Sequence, residues 1–305
     1  MNIKHNVALA KGILMEITSP KKLVLYGALV LSAITANVSA AEQPNIIYIL
    51  ADDMGQGDTT AYNSEGKIPT PNLKKLAEQG MTFSNVHSNS SVCTPTRYGI
   101  MTGRYAWRTS LKNGVYGGYS QHMIDPKRET IASLLKKQGY ATAMTGKWHL
   151  GMDMASSDGK KIHRGYGKNA DLSKPISNGP NSNGFDYYYG ISASLNMSPH
   201  AYIENTQVQG DLVYLTDKKS VKAFGLEGAK TGWAAKGFKQ DQVQKTFIDK
   251  AINWIEHQQK SSPEKPFFVY VPLNSPHTPI VPSDKFIGKS GLSAHGDFTM
   301  EMDHE

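Results

Sequence analysis

The chain has 305 residues, 39% hydrophobic and 19% charged, enough for one large or two modest domains and too balanced for disorder over most of its length. Its single cysteine, Cys93, excludes an internal disulfide framework and a zinc site built on several cysteines. The net charge of +7 falls to +4 once residues 1–40 are set aside, and with no long basic run this does not point to nucleic acid. It is compatible with an anionic substrate and equally with a solvated surface.

The N-terminus reads as an export signal over residues 1–40. Lys21 and Lys22 flank an apolar stretch from Leu23 to Ile34, and Val38-Ser39-Ala40 offers small residues before a cut at Ala41. The stretch is short of the roughly 20 residues a membrane span needs, so no stable span is expected; a retained N-terminal anchor is the alternative. Residues 41–305 are then expected to be exported, to the periplasm or beyond.

The exported part opens with a strand, Asn45–Leu50 (NIIYIL), a continuous apolar run of the kind covered on both faces, ending in Asp52-Asp53. A helix follows, capped by Thr70, with Pro71 in its first turn and Gly80 at its end. Met81–Phe83 reads as another strand. A short helix spans Thr96–Met101 and stops at Thr102-Gly103, and Thr130–Gln138 is a further helix. Tyr140–Thr145 is a strand leading into a Gly146-Lys147-Trp148-His149 loop. The stretch from Gly151 to Lys239, rich in Gly, Asn, Ser and Tyr, carries short strands in Phe185–Ile191 and Ala201–Leu215. Asp241–Gln258 is an amphipathic helix with Val243, Phe247, Ile248, Ala251, Ile252 and Ile255 on one face. Phe267–Leu273 is a buried strand, followed by Asn274-Ser275-Pro276-His277.

This alternation predicts an α/β layered fold around a mostly parallel sheet, in which ligands bind beyond the carboxyl ends of strands. Three such ends carry polar clusters: Asp52/Asp53, Lys147/His149 and His277. Adjacent carboxylates can neutralise a hard divalent cation, or cap a turn. Asp58 is a weaker candidate of the same kind. Cys93, just before a helix N-terminus, sits in positive potential that favours a thiolate or a bound anion, and Arg97 can offer a forked donor to an oxyanion. A buried structural cysteine beside a solvated arginine is the plain alternative. Tyr187, Tyr188, Tyr189, Trp107 and Trp148 could stack on sugar rings or belong to the core.

Cys93-Thr94-Pro95-Thr96-Arg97, followed by Tyr98 to Arg104 (YGIMTGR), closely resembles the sulfatase pattern of Cys-x-Pro-Ser/Thr-Arg followed by Thr-Gly-Arg. Pro44–Asp53 (PNIIYILADD) resembles that family's first strand and metal-binding pair, Gly146–Gly151 (GKWHLG) its second conserved segment, and Pro276–Pro279 (PHTP) a third. The four motifs run in family order along residues 44–279, and together they are specific.

The resemblance implies an alkaline-phosphatase-like α/β/α sandwich with a mostly parallel mixed sheet. It implies that a separate maturation enzyme oxidises Cys93 to formylglycine. One hydroxyl of the hydrated aldehyde then attacks the sulfur of a sulfate ester, and the other loses its proton to expel sulfate. Asp52, Asp53 and residue 93 would bind a divalent cation, calcium with magnesium as the alternative. Arg97 and Lys147 would balance charge, His149 would assist deprotonation of the diol, and His277 would serve the leaving oxygen. The substrate would be a sulfated small molecule or polysaccharide. Two other readings stand beside it: a phosphonate or phosphate ester hydrolase of the same superfamily, and a non-catalytic chain that at most binds sulfated glycans.

The family carries a further Asp-Asn or Asp-His metal pair and a second active-site lysine after the segment matching His277. Neither has a counterpart here, since Asp303-His304 lies in a helical context. Residues 41–305 are therefore expected to be the N-terminal portion of the catalytic domain, incomplete at its C-terminus and without a smaller C-terminal domain, with strand edges and apolar faces left exposed.

Overall fold

Three apolar strands dictate the architecture by having two covered faces to satisfy. In the computed structural model, which describes residues 43–305, β1 (Ile46–Asp52), β2 (Ala141–Lys147) and β10 (Phe267–Pro276) lie side by side in parallel, in the order β1-β10-β2. Beside β2, β5 (Tyr187–Ile191) adds a fourth parallel strand. The short β6 (Ile203–Glu204) and β7 (Gln207–Val208) then continue the sheet antiparallel. The sheet is mixed and mostly parallel, as the alternation predicts. Two small antiparallel pairs complete the strands: β3 (Ala155–Ser156) with β4 (Ala170–Asp171), and β8 (Leu212–Leu215) with β9 (Gly232–Ala235). The expected export segment lies outside the described residues.

Alternation along β10 separates two cores. Phe268 and Tyr270 face α2 (Cys93–Thr102) and α3 (Ile131–Lys137), where they pack with Tyr98, Met101, Ala132, Met144 and Tyr188. Phe267, Val269, Val271 and Leu273 face the long α5 (Val243–Ser261), where Ile248, Ala251, Trp254 and Ile255 meet them, joined by Met302 of α6 (Ala294–His304). Helices thus cover both faces. A third cluster joins α4 (Lys218–Ala223), β8, β9 and the N-terminal turns of α5.

Several expectations give way to packing. Although an apolar run, β1 is an edge strand: Tyr48 and Leu50 pack inward, while Ile47 and Ile49 are 53% and 57% exposed because α5 and α6 cover β10 and not β1. Met81–Phe83 forms no strand, since no partner strand lies beside it, and both Met81 and Phe83 are exposed. Ile252 of α5 faces solvent instead of sharing the apolar face. Tyr188, Tyr189 and Trp148 are core residues, leaving Trp107 exposed and stacked on Tyr105. The hydroxyl of Thr70 does not cap α1 (Pro71–Gln79); it accepts from the Thr60 N–H instead.

Asp303 takes up the capping of α1. Its two carboxylate oxygens accept from the N–H groups of Asn72 and Leu73 at 3.0 and 2.7 Å, and its carbonyl accepts from the Asn72 side chain. A carboxylate at a helix N-terminus satisfies orphan donors and opposes the positive end of the helix dipole. Asp303→Ala should therefore cost about 1–2 kcal/mol in urea unfolding, and an unchanged midpoint would refute the capping role.

Two histidines away from the catalytic motifs set a pH limit. Burial holds His122 below the usual imidazole range; its Nε2 accepts from the Asn183 amide, whose other hydrogen goes to the Gly179 carbonyl. Burial likewise depresses His200, whose Nε2–H donates to the Lys230 carbonyl. A depressed folded-state pKa contributes stability that is fully present above the unfolded value of about 6.5 and is lost as pH falls toward the folded value. The melting temperature should fall between pH 7 and pH 5, and His122→Asn should flatten that fall.

Candidate active site

Parallel order brings the three polar strand ends together, because adjacent parallel strands finish on the same side of the sheet. Asp52 closes β1, Lys147 closes β2, and His277 follows β10 between them. Lys147 is thus part of a strand, not of the loop after it. At Gly146 a Cβ would lie 2.1 Å from the Pro272 carbonyl oxygen, so glycine permits β2 and β10 to approach here, with φ at +147°.

Above these ends, α2 begins at Cys93 and stops at Gly103, whose φ of +65° lets its N–H bond back to Gly99. Arg97, one turn in, is 2% exposed and spans three elements. It donates to the Lys147 carbonyl at 2.6 Å and the Leu273 carbonyl at 3.2 Å, and it lies 3.5 Å from Asp52 Oδ1. The ammonium of Lys147, fully buried, donates to Asp52 Oδ2 at 2.5 Å and to Cys93 Sγ at 3.5 Å. Burial alone would raise the Asp52 pKa, but Lys147 and Arg97 hold the carboxyl well below the usual range, so it stays ionised. A cavity of about 290 Å³ opens on Asp52, Asp53, Cys93 and Arg97. The larger cavity of about 580 Å³ near Gly103 and Tyr105, at the far end of α2, lacks this convergence of charge.

Cys93 differs from the thiolate expectation. Burial, together with the Asp52 and Asp53 charges, pushes the thiol up against the opposing pull of Lys147 and Arg97. Residue 93 is therefore a protonated thiol at neutral pH despite its helix N-terminus.

His149 is held by backbone on two sides. Its N–H donates to the Ser192 carbonyl, and its ring Nε2–H donates to the Tyr116 carbonyl at 2.8 Å. That bond sets the tautomer and leaves Nδ1, buried and without a hydrogen-bond partner, as the lone-pair nitrogen. Burial first, then Lys147 and Arg97, keep the ring neutral by depressing its pKa far below normal. Tyr116 is in turn tied to α2, since its N–H donates to Thr94 Oγ1 at 3.1 Å. Tyr116, Thr94 and the Leu273 carbonyl are supports that the motifs did not reveal; all three act through backbone contacts that leave no pattern of residue type.

His277 Nδ1–H donates to the Thr278 carbonyl, and Nε2 stands 3.6 Å from Asp53 Oδ2. Ligand atoms of Asp52, Cys93 and His277 lie within 4.8 Å of one another, the group among the described residues that could hold a metal ion; Asp53, whose side chain is 56% exposed, is outside this group. The one carboxylate of this group, Asp52, suits a hard cation, whereas a thiol does not, so the set fits such an ion once residue 93 presents oxygen in place of sulfur, with Asp53 next in the chain as a second carboxylate. Asp58 serves the fold instead, since its Oδ2 accepts from the Gly55 N–H and lies 3.2 Å from His295 Nε2.

Comparison with known proteins agrees with this geometry. The sulfatase family model matches residues 44–305. The chain is 33% identical, over 88% of its length, to N-acetylgalactosamine-6-O-sulfatase of Bacteroides thetaiotaomicron, and 31% identical, over 90%, to N-acetylgalactosamine-6-sulfatase of Sus scrofa. It covers 55% and 48% of those proteins, so it spans about half the length of these relatives. A solved structure from work on glycosaminoglycan metabolism by B. thetaiotaomicron superposes with a TM-score of 0.73 at 31% identity, over 87% of this chain and 57% of that one. The mixed sheet with helices on both faces is the alkaline-phosphatase-like fold, and the chain belongs to the sulfatase family.

Proposed function

We propose that the protein hydrolyses sulfate esters of sulfated carbohydrates, with residue 93 as nucleophile after a maturation enzyme oxidises Cys93 to formylglycine. The observation that carries this reading is the buried Lys147 ammonium, shared between Cys93 Sγ and the ionised Asp52, both of which line the cavity. The hydrated aldehyde would supply one hydroxyl to attack sulfur and a second whose deprotonation releases sulfate. A calcium ion, with magnesium as the alternative, would be held by Asp52, Asp53 and the oxygen of residue 93, and would lower the pKa of that hydroxyl.

The remaining roles would fall to the side chains at the other strand ends and on α2. Lys147 and Arg97 offset the negative charge that grows on the sulfuryl oxygens. His149, neutral and with Nδ1 free, takes a proton from residue 93. His277, its Nδ1–H fixed on Thr278, gives a proton from Nε2 to the departing alkoxide when the ring is charged. The names of the two relatives point to a 6-sulfated N-acetylgalactosamine residue as the substrate unit. The export segment read from residues 1–40 supports such chemistry in the periplasm or outside the cell, and the match to about half of each relative supports reading 41–305 as the N-terminal part of a catalytic domain. Among the described residues no helix is long and apolar enough to cross a membrane.

The test is hydrolysis of an aryl sulfate by the protein co-expressed with a formylglycine-generating enzyme, alongside the mass of the Cys93 peptide. Turnover should accompany a mass change matching CHO in place of CH2SH, and Cys93→Ala should abolish it. Lys147→Arg, which keeps a cation beside Asp52, should lower kcat by about 10²–10³-fold through lost geometry. An unmodified Cys93 in an active enzyme, or faster cleavage of an aryl phosphonate, would refute the reading.

A further inference from the structure

The sequence from Lys160 to Lys168 (KKIHRGYGK) holds a cluster of positive charge that the catalytic motifs do not use: Lys160, Lys161, Arg164 and Lys168, with His163 between them. All five side chains are exposed, and none is in an ion pair among the described residues, although Lys136, Lys137, Lys236, Lys245 and Lys250 are. The carboxylate within the loop, Asp158, is spent on the loop itself. Its Oδ1 accepts from Ser156 Oγ, the Asn169 amide and the Lys160 N–H, at 2.7, 2.8 and 3.0 Å.

This loop joins β3 to β4 and is pinned down. The Arg164 carbonyl accepts from the Tyr119 N–H, the Gly167 carbonyl from the Trp233 indole, and the Tyr166 carbonyl from the Tyr214 hydroxyl. With the backbone pinned and the cations unpaired, binding an anion requires ordering of the side chains but not of the loop.

Two chain connections tie it to the residues around His149. Lys160 and Lys161 line a cavity of about 400 Å³ together with Gln121, Asp153 and Ser156. Asp153 is four residues beyond His149, a reach of at most about 14 Å along the chain. Its carboxylate is engaged by the His122 N–H and the Asn178 amide, so it opposes the lysines less than a free carboxylate would. From the other side, Tyr116, whose carbonyl holds His149, is followed by Gly117, which packs on the Arg164 carbonyl.

We propose that this cavity is a second anion subsite. It receives an additional sulfate or carboxylate of a polyanionic glycan, through Lys160 and Lys161, while the ester to be cleaved lies over Cys93. The inference rests on the sulfatase reading and deepens it: the preferred substrate is an oligosaccharide with at least two anionic groups.

The experiment measures binding by calorimetry to the full chain carrying Cys93→Ala, whose methyl side chain has no sulfur or oxygen to oxidise and so does not turn over. The probes are N-acetylgalactosamine 6-sulfate, a disaccharide of that sugar with a uronate, and the same disaccharide bearing a second sulfate. Lys160→Ala/Lys161→Ala should weaken the disulfated disaccharide about tenfold, reduce its salt dependence, and leave the monosaccharide unchanged. Lys218→Ala/Lys219→Ala, which removes equal charge from exposed α4, should change neither. A loss shared by the uronate probe assigns the subsite to either anion; a loss confined to the disulfated probe assigns it to sulfate. Equal loss for all probes, equal loss in the α4 variant, or no loss overturns the proposal. Binding selectivity in the Cys93→Ala chain, with no turnover of aryl sulfate by the protein bearing a matured residue 93, would sink the catalytic reading and leave the subsite standing.

Discussion

The Asp52 carboxylate is 5% exposed and faces two cations that are themselves buried. Removing it would leave Lys147 and Arg97 as unpaired charges away from water, a change that typically costs about 3–5 kcal/mol. The same pairing fixes geometry. Lys147 ends β2, Arg97 belongs to α2, and Arg97 also bonds the Leu273 carbonyl of β10, so one carboxylate at the end of β1 keeps four elements in register over the cavity. Apolar packing on the two faces of β10 brings the strands together, and this charge cluster specifies how their ends meet.

Much of this was legible because strand ends and motifs coincide. The runs NIIYIL, YATAMT and FFVYVPL marked the three central strands, and polar residues at their ends marked the site before any geometry was known. Their side-by-side order was not legible, since periodicity does not encode strand neighbours. Burial of β1 misled for the same reason: an apolar run states that a strand can be covered on both faces, while the sheet order decides whether it is. The supports of His149 were invisible because a carbonyl at Tyr116 is available in any residue. The role of Asp303 was hidden in another way, since its partners Asn72 and Leu73 lie some 230 positions earlier in the chain.

The exposed side of β1 and the unpaired cations of the 160–168 loop are features of opposite character. Ile47 and Ile49 present apolar surface at a sheet edge, a place natural folds usually protect. The loop presents charge on a backbone held by Tyr119, Trp233 and Tyr214. Charge carried on a held backbone favours recognition of an anion, because only the side chains remain to be ordered on contact. The long excursion between β2 and β5 is therefore more than a loose surface meander, since the backbone of this loop is bonded to Tyr119, Trp233 and Tyr214.

The environment that keeps Asp52 ionised also decides what residue 93 can do. Two buried cations would favour a thiolate, yet burial and the neighbouring carboxylates keep Cys93 protonated, so the place is poorly suited to sulfur as an attacking anion. A nucleophile that is neutral at rest, and gives up its proton only as it attacks, avoids the cost of holding a bare anion there. Such a nucleophile needs an acceptor that is itself unprotonated at neutral pH. Lys147 and Arg97 add to burial in keeping His149 neutral, and the bond from Nε2 to Tyr116 leaves Nδ1 as the open nitrogen. One pair of cations thus keeps Asp52 ionised and His149 neutral, an arrangement consistent with the hydrated formylglycine proposed for residue 93.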